Sequence, residues 1–169
     1  MNAGDPLDYL YESRPAIRNK NAIYGQLRHY FNGNSMDVSY RYFWDDWGVV
    51  AHTVDANYLW QAKNGRTYQP HVRWYRQSSS NIYAPFLVQG ANWSKYASSD
   101  SRLAAFTALT FCLEYSRPIK EDSRLSITGE YYTQFGDRSP PGAFGSLSGL
   151  EMFPRLKAVM VRVGFEHDF

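Results

Sequence analysis

The chain has 169 residues, one cysteine and a formal net charge of +2, and 17% of its residues are aromatic. That length suits one domain with a real core, whereas the weak charge, without clusters of lysine or arginine, argues against a nucleic-acid partner. The single cysteine excludes an internal disulfide and a multi-cysteine metal site, and the absence of a run of 18 apolar residues excludes a transmembrane helix.

The sequence predicts an all-β chain, because apolar and polar side chains alternate along most of it and helical periodicity is weak. Turn residues separate most of the alternating segments. We expect eight antiparallel strands, at about residues 7–13, 20–31, 36–45, 49–61, 67–77, 102–116, 124–135 and 158–169.

Each predicted strand has an apolar face and a polar face, because successive side chains point to opposite sides of a sheet. Lysine is nearly absent from these segments, whereas arginine, aspartate, asparagine and histidine are common. Such planar or short polar groups suit a confined, hydrogen-bonded interior better than a solvated face. The polar face therefore predicts an interior network, formed by Asp37, Arg41, Asp55, Asn57, His71, Arg73, Tyr75, Glu114, Glu130 and Arg162.

Three turns predict how the strands pair. Gly33-Asn34 suits a two-residue hairpin turn, which would place Gln26 opposite Arg41. Residues 46–48 and 63–65 suit three-residue turns that end on a glycine in the left-handed conformation. These two lengths place Asp55 opposite Arg73, with Arg41 on the diagonal from Asp55. They also place Asn57 opposite Asp37 and His71, and Thr53 opposite Arg41 and Tyr75.

The last segment ends on an aromatic residue after alternating valines. A terminal strand of this kind resembles the C-terminal signal that bacterial outer-membrane β-barrels present to their assembly machinery. The resemblance implies an insertion signal formed by Val161, Val163, Phe165 and Phe169.

Loop lengths and aromatic positions also favour a membrane barrel. If the C-terminus lies on the inner side, the long connections 78–101 and 136–157 fall on the outer side. The shorter connections at 33–34, 63–65 and 117–123 then fall on the inner side, as in outer-membrane barrels. Two aromatic clusters, separated by valine and alanine, fit the two interfaces of a bilayer. They are Tyr58, Trp60 and Tyr68 at one end, and Tyr42, Trp44, Trp47 and Trp74 at the other.

Several linear stretches resemble a bacterial family known only as domain of unknown function 3570. They include Asn21-Ala-Ile-Tyr-Gly-Gln-Leu-Arg-His-Tyr-Phe31 and Asp37-Val-Ser-Tyr-Arg-Tyr-Phe-Trp-Asp-Asp-Trp-Gly48, with further stretches at 52–55, 69–78 and 96–106. The similarity runs from about Leu7 to Phe169. It implies an outer-membrane β-barrel without an assigned activity.

Members of that family are typically longer, with a signal peptide and further strands upstream. The resemblance therefore implies that this chain corresponds to the C-terminal half, with residues 1–169 in a single barrel domain. The first six residues have neither the basic nor the apolar segment of a signal peptide. We expect a mature, trimmed or C-terminal piece of an exported protein.

The sequence contains no phosphate loop, dinucleotide fingerprint or hydrolase motif. Its four histidines lie on four different segments, so we expect no enzyme, metal or cofactor. His71, among polar inward neighbours, is interpreted as a hydrogen-bonded interior residue rather than a ligand or base.

The leading hypothesis is an outer-membrane β-barrel of unassigned role that contacts the lipid bilayer, with a passive pore for small polar solutes as one role. An eight-stranded barrel is nearly filled by side chains, so a filled interior is expected for this chain taken alone, and a pore if upstream strands enlarge it. One alternative is a structural or adhesive barrel that binds partners through outer loops such as 78–101. A soluble β-sandwich or lipocalin-like binding module is another.

Overall fold

The computed structural model describes residues 5, 7–139 and 142–167. Alternating side chains and turn-forming residues produce one antiparallel sheet in which every strand pairs with its neighbours in the chain. The strands are β1 Lys20–Phe31, β2 Asn34–Asp45, β3 Val50–Gln61, β4 Thr67–Gln77, β5 Phe106–Lys120, β6 Ser123–Gly136 and β7 Lys157–His167. Two short 3-10 turns, Ser101–Leu103 and Gly145–Gly149, lie in the long connections.

The fold prediction is confirmed as all-β and antiparallel, but the number of strands differs. The strand predicted at 7–13 is wrong, because that segment contributes only an isolated bridge between Ser13 and Ala97. The N-terminal segment, residues 7–19, instead binds the connection between β4 and β5 through Glu12 and Arg14. Despite their alternating sequence, residues 7–13 therefore form no strand of the sheet.

Both ends of β5 also differ from those of the strand predicted at 102–116. Residues 101–103 form a 3-10 turn, because the Asp100 side chain accepts a hydrogen bond from the Arg102 amide, and β5 begins only at Phe106. At the other end β5 continues to Lys120 and pairs with Ser123 across an irregularity after Pro118. The connection predicted at 117–123 is consequently a tight turn at residues 121–122.

The first hairpin is shifted by two residues from its predicted register. Its turn is Asn32-Gly33, with φ values of 47° and 79°, so Gln26 pairs with Ser39 rather than with Arg41. A two-residue turn of this type needs both central residues in the left-handed region, which asparagine followed by glycine adopts most readily. A shift of two residues leaves every side chain on its predicted face.

The next two hairpins have the predicted registers. Gly48 and Gly65 have φ values of 81° and 76°, as three-residue turns of this kind require. Asp55 pairs with Arg73, and Thr53 pairs with Arg41 and Tyr75. Asn57 pairs with Asp37 and His71 in the same way.

The sheet is curved and open. Side chains from β1 to β6 line one cavity on its polar face, which is therefore concave. Within the described ranges β1 and β7 are edge strands without a second partner, so closure into a barrel is not observed. All strands belong to one sheet, which differs from the two packed sheets of a β-sandwich. No helix in the described part of the chain is long and apolar enough to cross a membrane.

One end of the sheet carries both long connections, the β2–β3 turn and the N-terminal segment; we call it the loop end. The opposite end, with the tight turns at 32–33, 62–66 and 121–122, is the turn end. The most buried apolar side chains lie at the loop end rather than between layers of strands. They are Val49, Ala51, Ile82, Leu103, Ala104, Ala108 and Phe153.

Candidate functional site: a polar trough on the concave face

The polar face of the sheet lines an open cavity of about 1120 Å³, which we call the trough. The sheet positions its lining residues because every second side chain of each strand points to this face. Eight residues of the predicted interior network line it: Asp37, Arg41, Asp55, Asn57, His71, Arg73, Tyr75 and Glu130. Glu114 and Arg162 share the face but lie nearer the turn end, where they pair with Gln69 and Thr128.

The predicted contact between Asp55 and Arg73 is present in the trough. Asp55 accepts a hydrogen bond from Nε of Arg73 at 2.9 Å, and its oxygen lies 2.8 Å from Nε2 of His71. Arg41 occupies the predicted diagonal position but forms no ion pair among the residues that the structure describes. The ion pairs at this level therefore involve β3 and β4 and do not extend to β2.

A second ion pair joins β1 to β2. Asp37 accepts hydrogen bonds from Nε of Arg28 at 2.8 Å and from the amide of Gln26 at 2.6 Å. The two-residue shift of the first hairpin creates this arrangement, because it places Arg28 directly opposite Asp37. The predicted register, which differs by two residues, does not pair Arg28 with Asp37.

Neutral hydrogen bonds connect further members of the network. Gln69 donates to Asn57 at 3.0 Å, and Thr128 donates to Glu114 at 3.2 Å. The hydroxyl of Tyr75 donates to Gln77, whose amide in turn donates to two backbone carbonyls at the loop end. Most polar groups of the trough are thus held in place by partners on the same or the next strand.

The opposite, convex face is apolar and open. Leu27 on β1 and Val161 on β7 are 74% and 72% exposed. Two groups of aromatic rings border this face. Trp60, Tyr68 and Tyr115 form a row near the turn end with ring centroids 5.2 and 5.1 Å apart, whereas Tyr42 and Trp44 pack at 5.4 Å near the loop end.

Three residues of the predicted insertion signal share the convex face. Val161, Val163 and Phe165 follow one another on β7, and all three are exposed. Phe169, the fourth, lies outside the described residues.

An ion pair between Arg18 and the buried Asp45 lies at the loop end, and it was not predicted from the sequence. Asp45 has no exposed side-chain surface and accepts a hydrogen bond from Nε of Arg18 at 2.8 Å. The same carboxylate accepts the backbone amides of Trp47 and Val49, and Arg18 stacks over the Trp47 ring at 4.7 Å. In the sequence Asp45 is one residue of an alternating strand, and the alternation of side chains does not indicate a partner 27 residues away.

A second cluster fastens the N-terminal segment to the β4–β5 connection. Asp100 forms ion pairs with Arg102 at 2.7 Å and with Arg14 at 3.1 Å. These guanidinium groups, Arg102 above all, hold the pKa of Asp100 well below its usual range. A hydrogen bond from the buried Ser98 hydroxyl, with a smaller contribution from Arg14, lowers the pKa of Glu12.

The described residues bring no group of three or more histidine, cysteine, aspartate or glutamate side chains together in a way that could hold a metal ion. His29 and His52 lie on the convex face, where they stack with Phe31 and Tyr40, whereas His71 lies in the trough. The chemistry that this arrangement offers is hydrogen bonding and charge, on one side of a sheet whose other side is apolar.

These features define an all-β protein whose single antiparallel sheet separates a polar concave face from an exposed apolar one. A family model described as "Protein of unknown function (DUF3570)" matches residues 3–167, and the chain belongs to this family. The resemblance found in the sequence is thereby confirmed. Searches of curated proteins and of solved structures gave no match.

Proposed function

We propose that this sheet spans the bacterial outer membrane as part of a β-barrel, with the trough on the inside, and that it serves as a passive pore for small polar solutes. The observation that carries the proposal is the exposed apolar convex face, continuous from β1 to β7 opposite a polar trough. In water such a surface would be unfavourable, because soluble monomers rarely expose large contiguous apolar patches.

The dimensions of the strands support a transmembrane position. A tilted transmembrane strand needs about 9–11 residues to cross the hydrocarbon layer, and the seven strands have 11 to 15 residues each. Aromatic rings lie near both ends of the convex face, where a bilayer has its interfaces. The long connections share one end and the tight turns the other, an asymmetry typical of outer-membrane barrels.

The trough supports a water-filled interior. Charges within a barrel wall of low dielectric constant must be paired or hydrated. Two carboxylates of the trough are paired with arginine, whereas Arg41 and Glu130 have no ion-pair partner within the described ranges. Hydration is then what stabilises these two charges, and the cavity of about 1120 Å³ has room for water and a small solute.

The loop end favours a second candidate function, a structural or adhesive barrel that binds partners through its outer loops. The N-terminal segment and the β4–β5 connection are fastened together by Arg14, Asp100, Glu12 and Ser98. On the surface that they form, Tyr9 and Tyr11 are 88% and 102% exposed. Such a surface suits protein contacts, since aromatic residues are enriched at interfaces.

Reconstitution tests the proposal and separates the two candidates. The protein should require detergent, co-fractionate with outer membranes and, as part of a complete barrel, give stable conductance in a planar bilayer. Arg73→Ala should change the reversal potential in a salt gradient, because it unmasks the Asp55 carboxylate in the trough. A bilayer-inserted protein without conductance would favour the adhesive barrel, and a chain that purifies as a soluble monomer without detergent would contradict both.

A further inference from the structure

Among the residues that the structure describes, two opposite charges that line the trough form no ion pair. Asp37 and Asp55 are neutralised by Arg28 and Arg73. Within the described chain, the Arg41 side chain lies over the face of the Phe43 ring at 5.6 Å and forms no ion pair, and the Glu130 side chain forms neither an ion pair nor a hydrogen bond. The described lining of the trough therefore presents one unpaired cation and one unpaired anion to whatever occupies it.

The strand registers separate these charges in two directions. Arg41 is on β2, in the row that passes through Thr53, Tyr75 and Ala108 to Gln134 on β6. Glu130 is four residues from Gln134 along β6, in the direction of the turn end. At 3.3–3.4 Å per residue this offset is about 13 Å along the strands. The two charges also lie four strands apart on the curved wall.

The wall between the two charges carries hydrogen-bonding groups beside the apolar side chains of Phe106 and Ala108. Thr53, Tyr75 and Tyr132 line the trough there with hydroxyl groups, beside the paired Asp55 and Arg73. An occupant that reached both charges would meet donors and acceptors along its length. An α-amino acid is too short for this, whereas an extended chain of four residues spans about 13 Å, which matches the offset along the strands. The side chains of Arg41 and Glu130 both project into the trough and so shorten the remaining four-strand gap across it.

We propose that the trough binds elongated zwitterions of the size of a tetrapeptide, with the carboxylate at Arg41 and the ammonium group at Glu130. This inference deepens the proposed function by naming a solute class, and rests on that function only for how the solute reaches the trough. Each contact is an ion pair open to water, which contributes modestly, so each charge should change affinity by about twofold to fivefold.

A peptide series measures the effect directly. Tetraalanine with free termini is titrated into the detergent-solubilised full chain by isothermal calorimetry, beside its N-acetylated, C-amidated and doubly capped forms. The free peptide should bind most tightly, each singly capped form about twofold to fivefold more weakly, and the doubly capped form more weakly again. Equal affinity across the four peptides would overturn the proposal.

Charge-neutralising variants assign the two ends. In Arg41→Gln, C-terminal amidation should no longer weaken binding, whereas in Glu130→Gln, N-acetylation should no longer do so. Arg117→Gln is the matched control, because Arg117 is an exposed arginine whose register places it on the convex face. The same loss in all three variants would refute the assignment.

The assay separates this inference from the proposed function. If a variant is not folded by near-ultraviolet circular dichroism, the peptide series on the unmodified chain alone decides. Binding of the free peptide by a protein without conductance supports the zwitterion site and contradicts the pore. Conductance without discrimination among the peptides contradicts the zwitterion site alone.

Discussion

A pair of arginine substitutions at adjacent positions of β7 tests which face of the sheet meets lipid. Val159 and Met160 are 73% and 52% exposed and point to opposite faces. In a soluble protein, arginine at either position would change the free energy of unfolding by no more than about 0.5 kcal/mol. In a membrane barrel the two substitutions should differ sharply.

The strand registers give the size of the difference. Val159 shares a row with Tyr131, Phe111 and Val72. On β4, Val72 is four residues from Tyr68, which belongs to the aromatic row near the turn end. In the other direction Val72 is four residues from Arg76, whose row across the sheet includes Tyr42 near the loop end. Four residues along a strand tilted by about 40° rise about 10 Å, so the Val159 row lies near the middle of an apolar band about 20 Å high. Val159→Arg should cost about 2–4 kcal/mol, the range for arginine at the bilayer midplane.

The assay is equilibrium unfolding by urea in phospholipid vesicles, followed by tryptophan fluorescence. Met160→Arg is the control, since it places the same side chain on the trough side of the same strand. Val54→Arg and Leu109→Arg, one row nearer the loop end on β3 and β5, should also cost about 2–4 kcal/mol.

Equal effects of Val159→Arg and Met160→Arg would refute the assignment of faces. A larger effect of Met160→Arg would mean that the trough, rather than the convex face, is the apolar environment. Either result would remove the observation on which the membrane proposal rests.

Three further predictions concern the loop end. Asp45→Ala should lower the free energy of unfolding by about 3 kcal/mol in urea titrations, because the partly buried Arg18 guanidinium and two backbone amides lose their buried acceptor. Phe153→Ala should cost about 3–5 kcal/mol, because the ring is 1% exposed, whereas Phe144→Ala, at a 44% exposed ring, should stay within about 0.5 kcal/mol. Since Arg102 lowers the pKa of Asp100, protection of the N-terminal segment from hydrogen exchange should be complete above pH about 4 and be lost only as the pH falls through the lowered pKa. Asp100→Asn should remove that protection at neutral pH as well, and unchanged exchange would contradict this role.

The sequence by itself determined the faces of the sheet and much of its pairing. The side-chain period of a strand is two residues whatever the strand packs against, so alternation assigned residues such as Asp55 and Arg73 to the polar face. Turn chemistry is equally local. It placed Gly48 and Gly65 in left-handed conformations and thereby set two registers without reference to the rest of the chain.

Where two turns were locally compatible with the sequence, the predicted register was wrong. The turn at 32–33 and the turn at 33–34 both satisfy the face pattern, because registers that differ by two residues keep the same faces. The structure adopts Asn32-Gly33, which pairs Arg28 with Asp37. The choice between the two registers depends on the energies of the turn and of the ion pair together. The pattern of apolar positions carries no information about either energy.

Only the tertiary structure decided which charges stay free and what the N-terminal segment does. Arg18 reaches Asp45 across 27 positions of the chain and Arg14 reaches Asp100 across 86, and neither contact follows from a period. Arg41 and Glu130 carry the same pattern signal as Arg73 and Asp55, yet only the latter two form an ion pair in the described structure. Pairing depends on side-chain distances of a few ångströms across a curved sheet, whereas alternation depends only on the geometry of one strand.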